Sequence, residues 1–328
     1  MAELTLREAI SLGLREALDN DPRVIIMGED VGAYNGAYAV TKGFLKDYGE
    51  TRIIDTPISE AGFVGAGIGA AMAGLKPVVE IMTINFSLMA SDQIINNAAK
   101  IHYMSGGQYS APIIIRTVTG GGAGLGATHS QSFEGFYATI PGLKVITPAF
   151  PDDALGLLRT AFKDNNPILY CEHALLYSVR GEVPDDPSFE VPFGKAKTRK
   201  IGSDITLVGY GRSVHTALKA ADELKKRNVD AEVIDLRTLR PLDIETVIES
   251  TKKTHRCIVI EEAWATGGFG SYVAYEIQKN AFNSLDGPVL HLGALDVPAP
   301  YAKNLEMMTI PNEQWILDAV EKEFGIGN

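Results

Sequence analysis

Residues 52–82, RIIDTPISEAGFVGAGIGAAMAGLKPVVEIM, decide the fold. RIID is a short apolar, β-branched run ending at Asp55. Ser59 then stands where it can cap a helix whose first turn holds Glu60, and PVVEIM (77–82) resumes the extended pattern. Two continuous apolar strands joined by a helix belong to a parallel sheet covered on both faces. The same signature recurs in VIIM (24–27), PIIIRTV (112–118), KVIT (144–147) and PILYCE (167–172), with helical or glycine-rich segments between them. The chain opens with a helix: Thr5-Leu-Arg-Glu8 has capping-box spacing, Leu6, Ile10, Leu14 and Leu18 recur at helical intervals, and Asp21-Pro22 ends the run.

Residues 180–200, RGEVPDDPSFEVPFGKAKTRK, interrupt the alternation, because three prolines and mixed charge sustain neither a helix nor a central strand. Beyond them it restarts: strands at 204–211, 231–237, 256–263 and 289–294, and helices at 213–227, 243–252, 269–281 and 312–324. The expected class is therefore α/β in two domains, 1–180 and a smaller 201–328, with 181–200 as the link.

Composition narrows the function. Thirty basic against 41 acidic residues give a net charge of −11, which repels nucleic-acid backbones and anionic membranes. Cys171 and Cys257 lie in apolar runs without metal-ligand spacing, so neither a disulfide framework nor a zinc site is expected. The longest apolar stretch, 61–75, is too short to span a bilayer and MAELTLREAI is no signal sequence, which reads as a soluble, intracellular chain. Glycine is enriched at 33 of 328 residues, and its clusters at 62–74, 105–126 and 265–270 mark where to look for close backbone approach.

Four strand ends carry candidate chemistry. Glu60 sits at the carboxyl end of a parallel sheet, where open α/β sheets bind ligands; the helix dipole alone also favours an acid there. Gly65-Ala-Gly67-Ile-Gly-Ala70 matches a dinucleotide fingerprint but lies inside the helix rather than in the turn before it, so close helix–helix approach is the preferred reading. His129, in the loop after PIIIRTV, is placed as a proton carrier or a structural hydrogen-bonder. Phe86 is either core or a ring that stacks on a planar ligand, and Glu29 completes the set.

Taken together, VIIMGEDVG, DTPISEAGFVGAGIGAA, NFSLMASDQIINNAAKIHYMSGGQ, THSQSFEGFY, PGLKVITP, KDNNPILYCEH and EVIDLRTLRPLD resemble the beta subunits of thiamin-diphosphate-dependent pyruvate dehydrogenases. The resemblance implies a pyrimidine-binding domain of the thiamin diphosphate type followed by a transketolase C-terminal-like domain. It implies that Glu60 bonds the pyrimidine ring nitrogen of thiamin diphosphate, that Phe86 stacks on that ring, that His129 faces the reacting centre and that Glu29 links paired sites. It further implies a structural potassium ion on the carbonyls of Ile113, Ala161, Phe162, Asp164 and Asn166, with phenylalanine a departure in type at 162. The GDG motif that carries magnesium and the diphosphate in this family is absent from the sequence. The chain is thus expected to be half an active site that needs an alpha subunit in an α2β2 assembly and serves a lipoyl-bearing dihydrolipoyl acetyltransferase core. Pyruvate is the implied substrate, with branched-chain 2-oxo acids or acetoin as the alternative; a non-catalytic subunit and a nicotinamide oxidoreductase are the competing classes. The implied compartment is the bacterial cytoplasm, or a mitochondrial matrix or plastid stroma after loss of a transit peptide.

Overall fold

The six apolar runs of the amino-terminal half become six parallel strands in a computed structural model that describes residues 1–326. They belong to a first unit, Met1–Thr119 with Tyr137–Phe193. These six strands stand in the order Lys144–Ile146, Ile168–His173, Ile114–Thr119, Lys76–Ile81, Val24–Gly28, Ile53–Asp55. The register pairs Val78 with Ile114, Ile114 with Ile168 and Ile26 with Ile53, so branched side chains stack strand to strand. Every neighbouring pair is parallel, as crossover helices require.

The opening helix is Leu6–Asn20, and its capping box is present: the Glu8 amide donates to Thr5 Oγ1 at 3.2 Å and the Thr5 amide to Glu8 Oε2 at 2.8 Å. Leu6, Ile10 and Leu14 are wholly buried, each contributing about 1.5–3 kcal/mol of transfer free energy. The helix packs on Pro151–Ala161, where Gly13 leaves room for Leu158: a Cβ there would stand 3.0 Å from Leu158 Cδ2.

The glycines of Glu60–Met72 divide between the expected helix contact and a sheet contact. A Cβ on Gly67 would meet Val79 Cγ2 at 2.6 Å, so this glycine lets the helix lie on the sheet. Gly65 faces the side chain of Gln93, on a π-helical turn Gln93–Ala98. Ser59 does occupy the N-cap position, but its hydroxyl makes no capping hydrogen bond.

The stretch 180–200 also holds more order than proline content indicates. Arg180–Val183 pairs antiparallel with Ala2–Thr5, and Lys197–Lys200 forms an edge strand. Phe189 and Val191 pack over Gly156, and the Val191 amide donates to the Gly156 carbonyl at 3.1 Å, which carries the first unit on to Phe193.

The second unit comprises Gly120–Phe136 and Gly194 onward. Its sheet runs Leu290–Ala294, Cys257–Trp264, Ile205–Gly209, Ala231–Asp235, Lys197–Lys200, parallel except for the last pair. Helices Arg212–Lys226, Ile244–Thr254, Phe269–Ala281 and Glu313–Phe324 fall where the periodicity predicts them, and a shorter one, Lys303–Thr309, precedes the last. Both cysteines are buried and no disulfide joins them; burial pushes the Cys257 thiol up to about 12. Among the described residues no helix is long and apolar enough to cross a membrane.

Candidate active site

In the first unit, three of the candidate residues follow three adjacent strands. Glu29 comes directly after Val24–Gly28, Glu60 follows Ile53–Asp55, and Phe86 follows Lys76–Ile81. Glu60 is the first residue of its helix and is 8% exposed. Glu29 is buried beside it: loss of hydration pushes its carboxyl above the usual range, and the charges of Glu60 and Asp30 push it further. Its Oε1 has no hydrogen-bond partner among the described residues. The segment after Glu29 is tied down by Asp55, whose carboxylate accepts the amides of Gly32 at 2.6 Å and Ala33 at 2.8 Å.

Phe86 lies half-buried in a 3-10 turn, Ile84–Leu88. The turn is fixed from beneath: Asn85 Nδ2 donates to Thr83 Oγ1 at 2.6 Å, and Tyr137 Oη to Ser87 Oγ at 2.8 Å. Burial pushes the Tyr137 hydroxyl up to about 12, which keeps it a donor at any physiological pH.

Below these strand ends lies a charge cluster that no sequence motif marks. Arg116 donates to Glu80 at 2.6 Å and, through two nitrogens, to both oxygens of Glu172 at 2.6 and 2.8 Å; Tyr177 Oη donates to Glu172 at 2.6 Å. The signal was present: three neighbouring, mostly apolar strands carry Glu80, Arg116 and Glu172 in their interiors, and Glu80 and Arg116 share a register position. Burial raises the Glu80 carboxyl despite Arg116. Burial opposes the Arg116 charge, but Glu172 and Glu80 outweigh it and hold the guanidinium protonated.

The five residues of the implied cation site also gather in the first unit. A cavity of about 10 Å³ is lined by Ala161, Phe162, Asp164 and Ile114 with Lys76 and two prolines. The Phe162 carbonyl accepts from Lys76 Nζ at 3.0 Å, Ala161 from the Asp164 amide at 3.2 Å and Ile113 from the Ile168 amide at 2.9 Å. Asp164 Oδ1 accepts from the amide and side chain of Asn166 at 2.8 and 2.7 Å, and its other oxygen pairs with Lys144. Although burial opposes ionisation, these donors hold the Asp164 carboxyl below its ordinary value. Among the described residues no cluster of three or more His, Cys, Asp or Glu is placed to hold a metal.

His129 belongs to the second unit, in the loop 120–131. Gly120, Gly122, Gly124 and Gly126 all take positive φ, a conformation that only glycine adopts without strain. The Gly120 amide donates to the Gln131 carbonyl at 3.3 Å and the His129 amide to Gly126 at 3.1 Å, so the loop folds back on itself. Thr128 Oγ1 lies 2.9 Å from His129 Nδ1, so the ring is held from its neighbour in the loop.

A buried carboxylate at a helix start beyond a parallel sheet, followed by a second α/β unit, is the arrangement of the transketolase class. The transketolase pyrimidine-binding-domain model matches residues 2–179, and the transketolase C-terminal-domain model matches 194–316. A solved structure described as a split-gene transketolase, inactive beta4 tetramer, superposes with a TM-score of 0.79 over 99% of both chains at 23% identity, a likeness of fold. Within that class the chain belongs to the family of pyruvate dehydrogenase E1 component beta subunits. It is 47% identical to the Rickettsia bellii subunit over 98% of both chains, 47% to that of Rhizobium meliloti over 98% of this chain and 70% of that one, and 46% to the mitochondrial subunit of Bos taurus over 99% and 91%.

Proposed function

We propose that the chain is the beta subunit of a pyruvate dehydrogenase, working with an alpha subunit in an α2β2 assembly that decarboxylates pyruvate and passes the acetyl group to a lipoyl-bearing acetyltransferase core. The observation that carries the reading is Glu60, a carboxylate buried at the first position of the helix beyond a parallel strand, in a chain with this family membership. Thiamin diphosphate, when bound, supplies the acidic carbon that attacks the 2-oxo group. The residues present fit it: a buried acid for the pyrimidine nitrogen, an aromatic edge, and a buried Glu29 oxygen that lacks a partner.

The Glu60 carboxyl group bonds the ring nitrogen and relays a proton there, and Phe86 covers the ring face and excludes water. Glu29, whose carboxyl burial and the neighbouring Glu60 raise above its ordinary value, lies beside it and serves the link between paired sites. His129 delivers or accepts a proton through its imidazole as carbon dioxide and later the acetyl group depart. Magnesium and the diphosphate are held through the alpha subunit, because this sequence lacks the GDG motif. For the potassium ion implied by the family, Ala161, Phe162 and Asp164 line the 10 Å³ cavity with Lys76, whereas Ile113 and Asn166 do not line it, so the carbonyl set would be completed from beside the cavity. The reaction runs in a bacterial cytoplasm, a mitochondrial matrix or a plastid stroma.

The test is reconstitution. The chain mixed with a cognate alpha subunit should release carbon dioxide from pyruvate, whereas the chain alone should release none. Activity confined to branched-chain 2-oxo acids would replace pyruvate as the substrate.

A further inference from the structure

Glu306 has no place in the account so far, yet it is wholly buried. It sits in the short helix Lys303–Thr309, and no salt bridge neutralises it among the described residues. Its Oε2 accepts the amide of Gly124 at 2.8 Å, while its Oε1 is buried with no partner. One other polar side chain of the same loop shares that condition: the hydroxyl of Ser130 is buried and partnerless. The two unsatisfied groups are neighbours. A Cβ built on Gly121 would stand 3.4 Å from Glu306 Oε1 and 3.7 Å from Ser130 Cβ, so both flank the same glycine. One is an acceptor without a donor; the other is a donor that needs only rotation about one bond and a small loop shift. Leaving both orphaned is costly, and a charged acceptor strengthens the bond that would join them.

We propose that Glu306 is a positioning residue for His129, through a two-point latch on the glycine-rich loop. One carboxylate oxygen holds Gly124 and the other takes the Ser130 hydroxyl as the loop orders, so the anchors bracket His129 on both sides. Four positive-φ glycines make the loop soft without such anchors. Tyr301, five residues before Glu306, buttresses the same loop: its ring carbon lies 3.1 Å from a Cβ on Gly126. The loop and Glu306 both belong to the second unit, so the latch is internal to it. The positioning role rests on the reading of His129 as a proton carrier; the latch itself does not.

The experiment is amide hydrogen exchange on the full chain, read on peptides covering 120–131, together with turnover after reconstitution with the alpha subunit. Glu306→Ala should speed exchange of the loop about tenfold or more, as expected for loss of a charged hydrogen bond. Glu306→Gln keeps an oxygen for Gly124 and should restore protection, while Ser130→Ala should give an intermediate loss and keeps the test open should Glu306→Ala fail to fold. In the assembled enzyme Glu306→Ala should lower kcat more than it raises KM for pyruvate, with Glu306→Gln rescuing most of the loss. Unchanged exchange in both Glu306→Ala and Ser130→Ala would overturn the latch. A loosened loop with full turnover, where His129→Ala is itself impaired, would overturn the positioning role. Full turnover in His129→Ala would instead sink the His129 reading, with exchange still deciding the latch.

Discussion

Arg116→Met removes the one cation of a buried cluster and leaves its two carboxylates behind. Arg116, Glu80 and Glu172 have side chains 2%, 10% and 0% exposed, so water cannot replace the lost charge. The substitution deletes three charge-assisted bonds of 2.6–2.8 Å. Removing one partner of a buried ion pair costs about 3–5 kcal/mol. At about 2–4 °C per kcal/mol for domains of 150–250 residues, the midpoint should fall by roughly 6–20 °C at pH 7. The loss should depend on pH in one direction. Without Arg116, the Glu80 carboxyl, already raised by burial, loses the charge that opposed the rise, and a group raised in the folded state stabilises below its unfolded pKa and loses that contribution as pH rises. Calorimetric melts of Arg116→Met should therefore approach the wild type as pH is lowered from 8 toward 5, and Arg116→Met with Glu80→Gln and Glu172→Gln should recover much of the deficit at pH 8. A deficit under about 1 kcal/mol, or one that grows as pH falls, would refute the reasoning.

Glu29→Gln should raise stability at neutral pH, because burial and Glu60 raise the Glu29 carboxyl in the folded chain; the gain should shrink as pH falls toward its ordinary 4.5, checked by denaturant melts at pH 8 and 5. Gly67→Ala should destabilise by about 1–3 kcal/mol despite better helix propensity, since its Cβ would stand 2.6 Å from Val79; a raised midpoint in thermal unfolding would contradict this. His129→Ala in the reconstituted enzyme should slow carbon dioxide release or lipoyl acylation while leaving cofactor affinity and exchange of the thiazolium proton unchanged, followed by NMR.

The sheets were legible because buried parallel strands are runs of mostly apolar, β-branched residues, a pattern that needs no partner to be read. VIIM, RIID, PVVEIM, PIIIRTV, KVIT and PILYCE each gave a strand within one or two residues. Glu60 could be singled out because Ser59 and the preceding strand fix its place in the chain. The pairing of Ala2–Thr5 with Arg180–Val183 was invisible, since a four-residue edge strand joins segments that no local pattern connects. The Arg116 cluster needed the register: a lone charge in an apolar strand gains its meaning only when Glu80 and Glu172 arrive from neighbouring strands. Gly67 was read as a helix contact and serves a sheet contact, because glycine reports close approach without naming the neighbour. Glu306 lies more than 170 positions from the loop it holds, beyond the reach of any motif.

Turnover of Glu60→Gln in the enzyme reconstituted with its alpha subunit tests the central claim most directly. Glutamine preserves the shape and removes the proton, and general acid–base catalysis contributes about 10²–10⁴-fold, so pyruvate decarboxylation should fall by that order while the assembly forms normally. Wild-type turnover in the assembled Glu60→Gln enzyme would contradict the account.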